Sequence, residues 1–192
     1  MIWFYTKKLN NILSNHTAKQ QRQTLIFIHK INPMHIETKL AEMGLQLPEA
    51  FATPAHIQIP FEWVRLYENR AYVSGHGPQN PDGSAAGPFG KVGAAVTPEE
   101  AANAAFLATL SILASLKKTL GDLDRITAWL NVNGMISVAP GFINTTNVMT
   151  PCSELLLKLF GPDKGKHART AIGVAQLPLD LPVVIAAEVA FI

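Results

Sequence analysis

Apolar side chains recur every three to four positions at Ala101, Ala105, Ala108, Ile112 and Leu116, the spacing of one buried stripe on an α-helix. Thr97-Pro98-Glu99-Glu100 supplies the start: a hydroxyl cap, proline at the first helical position and glutamate three residues after the cap. The helix is predicted to run to Leu120 and stop at Gly121. A period of two takes over in residues 125–133, where Ile126, Ala128, Leu130 and Val132 alternate with Thr127, Trp129, Asn131 and Asn133, which predicts a strand. Thr150-Pro151 opens a second helix, carried to Phe160 and ended by Gly161-Pro162.

The chain closes on two strands joined by a proline-bounded turn. In the first, Ile172 and Val174 share one face while Arg169, Ala171, Gly173 and Ala175 share the other. In the second, Val183, Ile185, Val189 and Phe191 form a large apolar face, and Val184, Ala186, Glu188 and Ala190 form a face of mostly small residues. Upstream, residues 36–44 predict a short helix ending at Gly44, and residues 61–66 and 70–75 two strands turning at Glu68-Asn69, with asparagine supplying the unusual backbone angles. Residues 77–93 form a long Gly- and Pro-rich loop, a candidate lid or interface arm.

Strands, helix, strand, helix and two strands predict an α+β layer: a single mixed β-sheet with two helices packed on one face. The opposite face is then bare, and another subunit is its expected cover. The large face of the last strand is expected under the helices. Arg169 is placed on the small face, its guanidinium above a floor of small side chains and able to hold a planar anion such as a carboxylate by two parallel hydrogen bonds. The alternative is a solvated arginine at a strand end.

Charge divides the chain unevenly. Residues 1–36 contain no Asp or Glu and five cations (Lys7, Lys8, Lys19, Arg22 and Lys30), so the remaining residues carry −3 of the net +2. The basic character belongs to the amino-terminal stretch. We read residues 1–33 as a basic extension, disordered or an over-extended reading frame with Met34 as the start, and residues 34–192 as one domain. Leu25-Ile26-Phe27-Ile28 is too short for a secretory core, and no apolar run approaches the ~20 residues of a membrane span. A cytoplasmic location is expected, with organelle targeting by the extension as the alternative. Cys152 is the only cysteine, so no internal disulfide forms, and no ligand spacing points to a metal or cofactor.

Gly165-Lys166-His167-Ala168-Arg169-Thr170-Ala171-Ile172-Gly173-Val174-Ala175-Gln176-Leu177-Pro178 followed by Pro182-Val183 resembles the closing signature of the Rid/YjgF family, also called the L-PSP endoribonuclease family. Tyr72-Val73-Ser74-Gly75, Gly90-Lys91-Val92-Gly93 and residues 120–126 match it in order and spacing, and the long loop before the first large helix is similar to a YjgF-like branch. The resemblance implies a fold like trimeric chorismate mutase, with three sheets packed into a barrel and ligand clefts between subunits. In the deaminase branch it implies hydrolysis of a 2-imino or 2-enamino acid to a 2-keto acid and ammonia, with the matching Arg169 holding the substrate carboxylate and Ser74-Gly75 lining the cleft.

The resemblance also marks losses. The acidic positions of the deaminases fall at Val184 and Ala186, the cleft tyrosine at Phe61, and the cysteine two residues after the arginine at Ala171. His76 and His167 are candidates to compensate, against packing or surface roles for each. Lys91 is a second candidate cation, against a solvated loop lysine, and Cys152 is expected to pack rather than react. The leading expectation is therefore a deaminase-like hydrolase forming a homotrimer, and the alternative a protein that binds small carboxylates without turnover. The family's ribonuclease activity ranks third, because RNA binding calls for a basic surface and the body of the chain is net negative.

Overall fold

The computed structural model describes residues 35–50 and 59–192. The basic extension and the proposed start at Met34 lie outside the described residues. In chain order the elements are α1 (His35–Glu42), β1 (Val64–Tyr67), β2 (Arg70–His76), α2 (Pro98–Leu120), β3 (Ile126–Ser137), α3 (Thr145–Val148), α4 (Thr150–Lys164), β4 (Ala168–Val174) and β5 (Val183–Phe191). The strands make one five-stranded sheet in the order β1-β2-β5-β3-β4, in which β3 and β4 run parallel and the other neighbours antiparallel. This is the predicted α+β mixed sheet with helices on one face.

Helix α2 forms as its sequence dictates. Thr97 accepts from the Glu100 backbone N–H, Glu100 accepts from the Thr97 N–H, and Gly121 takes the left-handed cap, its N–H donating to the Lys117 carbonyl. All five residues of the predicted stripe are buried, and the alanines of its first half let the helix approach the sheet closely. Below it lie Val183, Ile185, Ala187, Val189 and Phe191 of β5, the large face expected to carry helices. Helix α4 adds Cys152, Leu155, Leu156 and Leu159 to the same core. Where the α3–α4 junction crosses the sheet, a Cβ on Gly134 would overlap the Met149 side chain, so the close approach depends on glycine there.

Several expectations are corrected. Strand β1 starts at Val64 rather than residue 61, and Glu68, not Asn69, takes the left-handed turn conformation at φ 52°. Strand β3 is longer than predicted and does not alternate strictly. Its register against β5 slips between Ile126 and Ala128 and again between Trp129 and Asn131, each slip adding a residue to β3. The bulges turn Trp129 into the core and leave Leu130 half-buried, so the large apolar side chains buried from this strand are Ile126, Trp129, Val132 and Ile136. Helix α4 does not end at Phe160; it kinks at Gly161, φ 75°, and adds a further turn to Lys164.

The loop at residues 77–93 is tied to the body rather than hanging free as a lid. Gln79, Ala86 and Val92 are buried, the Val92 N–H donates to the Ser137 carbonyl, and the Gly90 N–H donates to the Asp180 carbonyl. On the face away from the helices, β4, β3 and β5 set Ile172, Met135 and Val184 side by side, and β1 and β2 add Tyr67 and Tyr72. Ile172, Tyr67 and Tyr72 are exposed in the single chain. Among the described residues no helix is long and apolar enough to cross a membrane.

Candidate functional site

Register decides where Arg169 points. Val132 on β3 pairs with Arg169 on one side and with Ala187 on the other. Neighbouring residues in register share a face, so Arg169 stands on the helix side with the buried Val132 and Ala187. It does not share a face with Val184 and Ala186, whose register partners Met135 and Asn133 stand with Ile172, the β4 partner of Met135, on the open side. The expected placement on the small face of β5 is therefore corrected. The small residues of β4 serve another purpose: they admit α3. Thr145 Oγ1 donates to the Ala171 carbonyl at 3.0 Å, and a Cβ on Gly173 would meet Val138 and Thr145.

Arg169 sits on the edge strand, half-buried at the rim between sheet and helices. Its Nη1 donates to Ser153 Oγ at 3.0 Å and its Nη2 to the Thr146 carbonyl at 3.4 Å. Among the described residues no acidic side chain forms an ion pair with it. A guanidinium has five N–H donors in a planar fork, and these two contacts leave the fork oriented with donors to spare.

His167 joins the same cluster. Its Nδ1 lies 2.7 Å from the Gly165 carbonyl and its Nε2 3.0 Å from Ser153 Oγ. Arg169, Ser153 and His167 thus form a continuous polar chain at the start of β4, all three half-buried. Ser153 was not a candidate from sequence. It lies 14 residues before His167 and 16 before Arg169 in a helical run, and only the fold-back of α4 onto the edge of β4 brings the three together.

The other expected cleft residues lie elsewhere in the chain. Ser74 and Gly75 occupy the irregularity between Val73 and His76 where β2 meets β5. A Cβ on Gly75 would come within 2.8 Å of Val184 Cγ1, which makes glycine a requirement of the close packing there. Ser74 Oγ donates to the Glu62 carbonyl at 2.7 Å, tying β2 to the chain before β1. Phe61 is 48% exposed and meets Trp63 edge-on. With β5 and β3 between them, β2 and β4 are three strand spacings apart, roughly 14 Å at ~4.8 Å each. One chain does not bring Ser74, Gly75 or Phe61 to Arg169.

His76 is fully buried rather than set on a cleft wall. Its Nδ1 lies 2.6 Å from the Ser74 carbonyl and its Nε2 2.8 Å from Ser115 Oγ on α2, and Trp63 packs against the ring. Burial pushes its pKa down, with the Ser74 carbonyl opposing that shift. Cys152 is buried as expected, and burial raises its thiol to about 11 against smaller opposing effects of Thr109 and Arg169. Lys91 belongs to the far end of β4: its neighbour Val92 bonds Ser137, whose β4 partner is Val174. Glu37, Asp122 and Asp124 approach one another, a grouping the spacing did not suggest. All three are engaged, Glu37 with Lys117 and the Leu123 N–H, Asp122 with the Asp124 N–H, and Asp124 with the His35 N–H.

A single mixed sheet with helices on one face and an arginine-centred polar cluster at its edge defines an α+β protein of the chorismate-mutase-like fold. The chain belongs to the family described as "YjgF/chorismate_mutase-like, putative endoribonuclease", which it matches over residues 37–188. It is 34% identical over 143 residues to Protein TCP17 of Trypanosoma cruzi, covering 74% of this chain and 86% of that protein. Among solved structures it is similar to Atu1372 of Agrobacterium tumefaciens, a protein of unknown function, at 32% identity and a TM-score of 0.73, covering 88% of this chain and 98% of the other. A Shewanella oneidensis MR-1 protein whose name carries the same endoribonuclease description matches at 28% identity and a TM-score of 0.73, covering 81% of this chain and 99% of that one.

Proposed function

We propose that this chain hydrolyses a small 2-imino or 2-enamino carboxylate to the keto acid and ammonia, with Arg169 as the carboxylate clamp. The observation that carries this reading is the oriented, half-buried guanidinium that lacks an acidic partner among the described residues. Ser153 and the Thr146 carbonyl fix its plane, and a carboxylate taken by the remaining donors neutralises it. Holding the carboxylate in turn fixes the imine carbon, so orientation supplies part of the rate.

The working form in this proposal is a homotrimer. The bare face carrying Ile172, Tyr67 and Tyr72 supports a second copy as its cover. Clefts between copies are the route by which Ser74, Gly75 and Phe61 of one copy approach Arg169 of the next. Binding of a small carboxylate without turnover is the second reading, supported by Val184 and Ala186 at positions where the resemblance implies acidic groups.

Hydrolysis of freshly generated 2-iminopropanoate by the full chain and by Arg169→Ala tests the proposal. Acceleration that falls by about 10²-fold or more in kcat/KM in the variant is expected. No acceleration, with small carboxylates still bound through Arg169, would leave the binding reading.

A further inference from the structure

The deaminase reading lacks a group to take a proton from water, because among the described residues no acidic side chain pairs with Arg169. We propose that Ser153 and His167 supply that function as a proton relay, an inference that rests on the deaminase reading. The hydrogen bonds fix the tautomer of the neutral ring. The Gly165 carbonyl only accepts, so the His167 nitrogen 2.7 Å away, Nδ1, carries a hydrogen. In the neutral ring Nε2 is then a lone pair. The Ser153 hydroxyl, 3.0 Å away, donates to it.

Arg169 Nη1 occupies one lone pair of Ser153 Oγ. A hydroxyl oxygen has two, so one remains to accept from a water. Such a water lies beside the guanidinium that holds the substrate carboxylate, within reach of the carbon next to that carboxylate. The backbone carbonyl sets the tautomer and orientation of the imidazole, as a general base requires. The cation beside Ser153 stabilises negative charge as it develops on Oγ during transfer.

The chemistry balances with no further reagent. With a protonated imine bound, the water oxygen bonds to the imine carbon and the carbon–nitrogen π pair ends on nitrogen. The water proton passes to Ser153 Oγ as the serine proton passes to His167 Nε2. The proton then returns by the same path to the amino nitrogen, the carbon–nitrogen bond breaks and ammonia leaves. The keto group forms as the hydroxyl proton is lost to solvent.

The test compares the full chain with Ser153→Ala, Ser153→Thr and His167→Gln, measuring kcat and KM for 2-iminopropanoate. It adds nitrogen NMR of the His167 ring in the wild type. The relay predicts kcat lowered about 10²-fold or more in Ser153→Ala and His167→Gln with KM within about threefold, and substantial recovery in Ser153→Thr, which keeps a hydroxyl. It also predicts a wild-type ring protonated on Nδ1, whose Nε2 resonance moves on Ser153→Ala. An active wild type whose variants keep kcat within about threefold overturns the relay and leaves the deaminase reading standing. A wild type that hydrolyses no imino acid overturns both. Should the variants fail to fold, the wild-type spectrum decides, and a neutral ring carrying its proton on Nε2 overturns the relay.

Discussion

His76 and His167 look equivalent in the sequence and have opposite fates in the fold. Residue type marks both as candidates, but burial separates them: α2 covers His76, while His167 stays at the sheet rim beside Arg169. Burial lowers the pKa of His76 below its ordinary 6.5, so the unfolded chain binds the extra proton first as pH falls. The contribution of neutral His76 is therefore complete above about 6.5 and is lost as pH drops toward and through its lowered folded value. Urea denaturation from pH 7.5 to 5 should show a shallower loss of stability in His76→Gln than in the wild type. Equal slopes would mean His76 carries no such linkage.

At the scale of elements, local rules that close within one turn were legible, and pairings set across the sheet were not. Thr97, Pro98 and Glu100 announce α2 within four residues, and the capping box forms as written. Removing it by Thr97→Ala should cost about 1 kcal/mol, read as a lowered denaturation midpoint with unchanged slope; no change would mean the box contributes nothing net. The face of β3 was not legible, because two bulges against β5 reverse its alternation and carry Trp129 inward. Arg169 was misplaced for the same kind of reason. Its parity with Ala171 and Gly173 is visible along β4, but which side that parity faces depends on pairing with β3. The small residues that suggested an open floor make room instead for Thr145. Ser153 gave no signal, since its role arises where α4 folds back on β4.

On the scale of the whole molecule, the sheet has one finished face and one unfinished face. The order of the elements predicted this, and Ile172, at 49% exposure beside Met135 and Val184, shows what remains to be covered. If three copies close over this face, Ile172→Asp places a charge in the contact and should convert a trimer to monomers in native mass spectrometry. A wild type that is monomeric, or a variant that stays trimeric, would place the covering partner elsewhere. The proposed trimer also bears on the site, because Ser74 and Gly75 are three strands from Arg169 in one chain.

The clamp itself is tested most directly by calorimetric titration of 2-oxobutanoate, a stable keto acid with the same carboxylate, into the wild type, Arg169→Lys and Arg169→Ala. The account predicts saturable binding that weakens in Arg169→Lys, which keeps the charge but loses the planar fork, and weakens by at least about tenfold in Arg169→Ala. Binding of equal strength in all three proteins would contradict it.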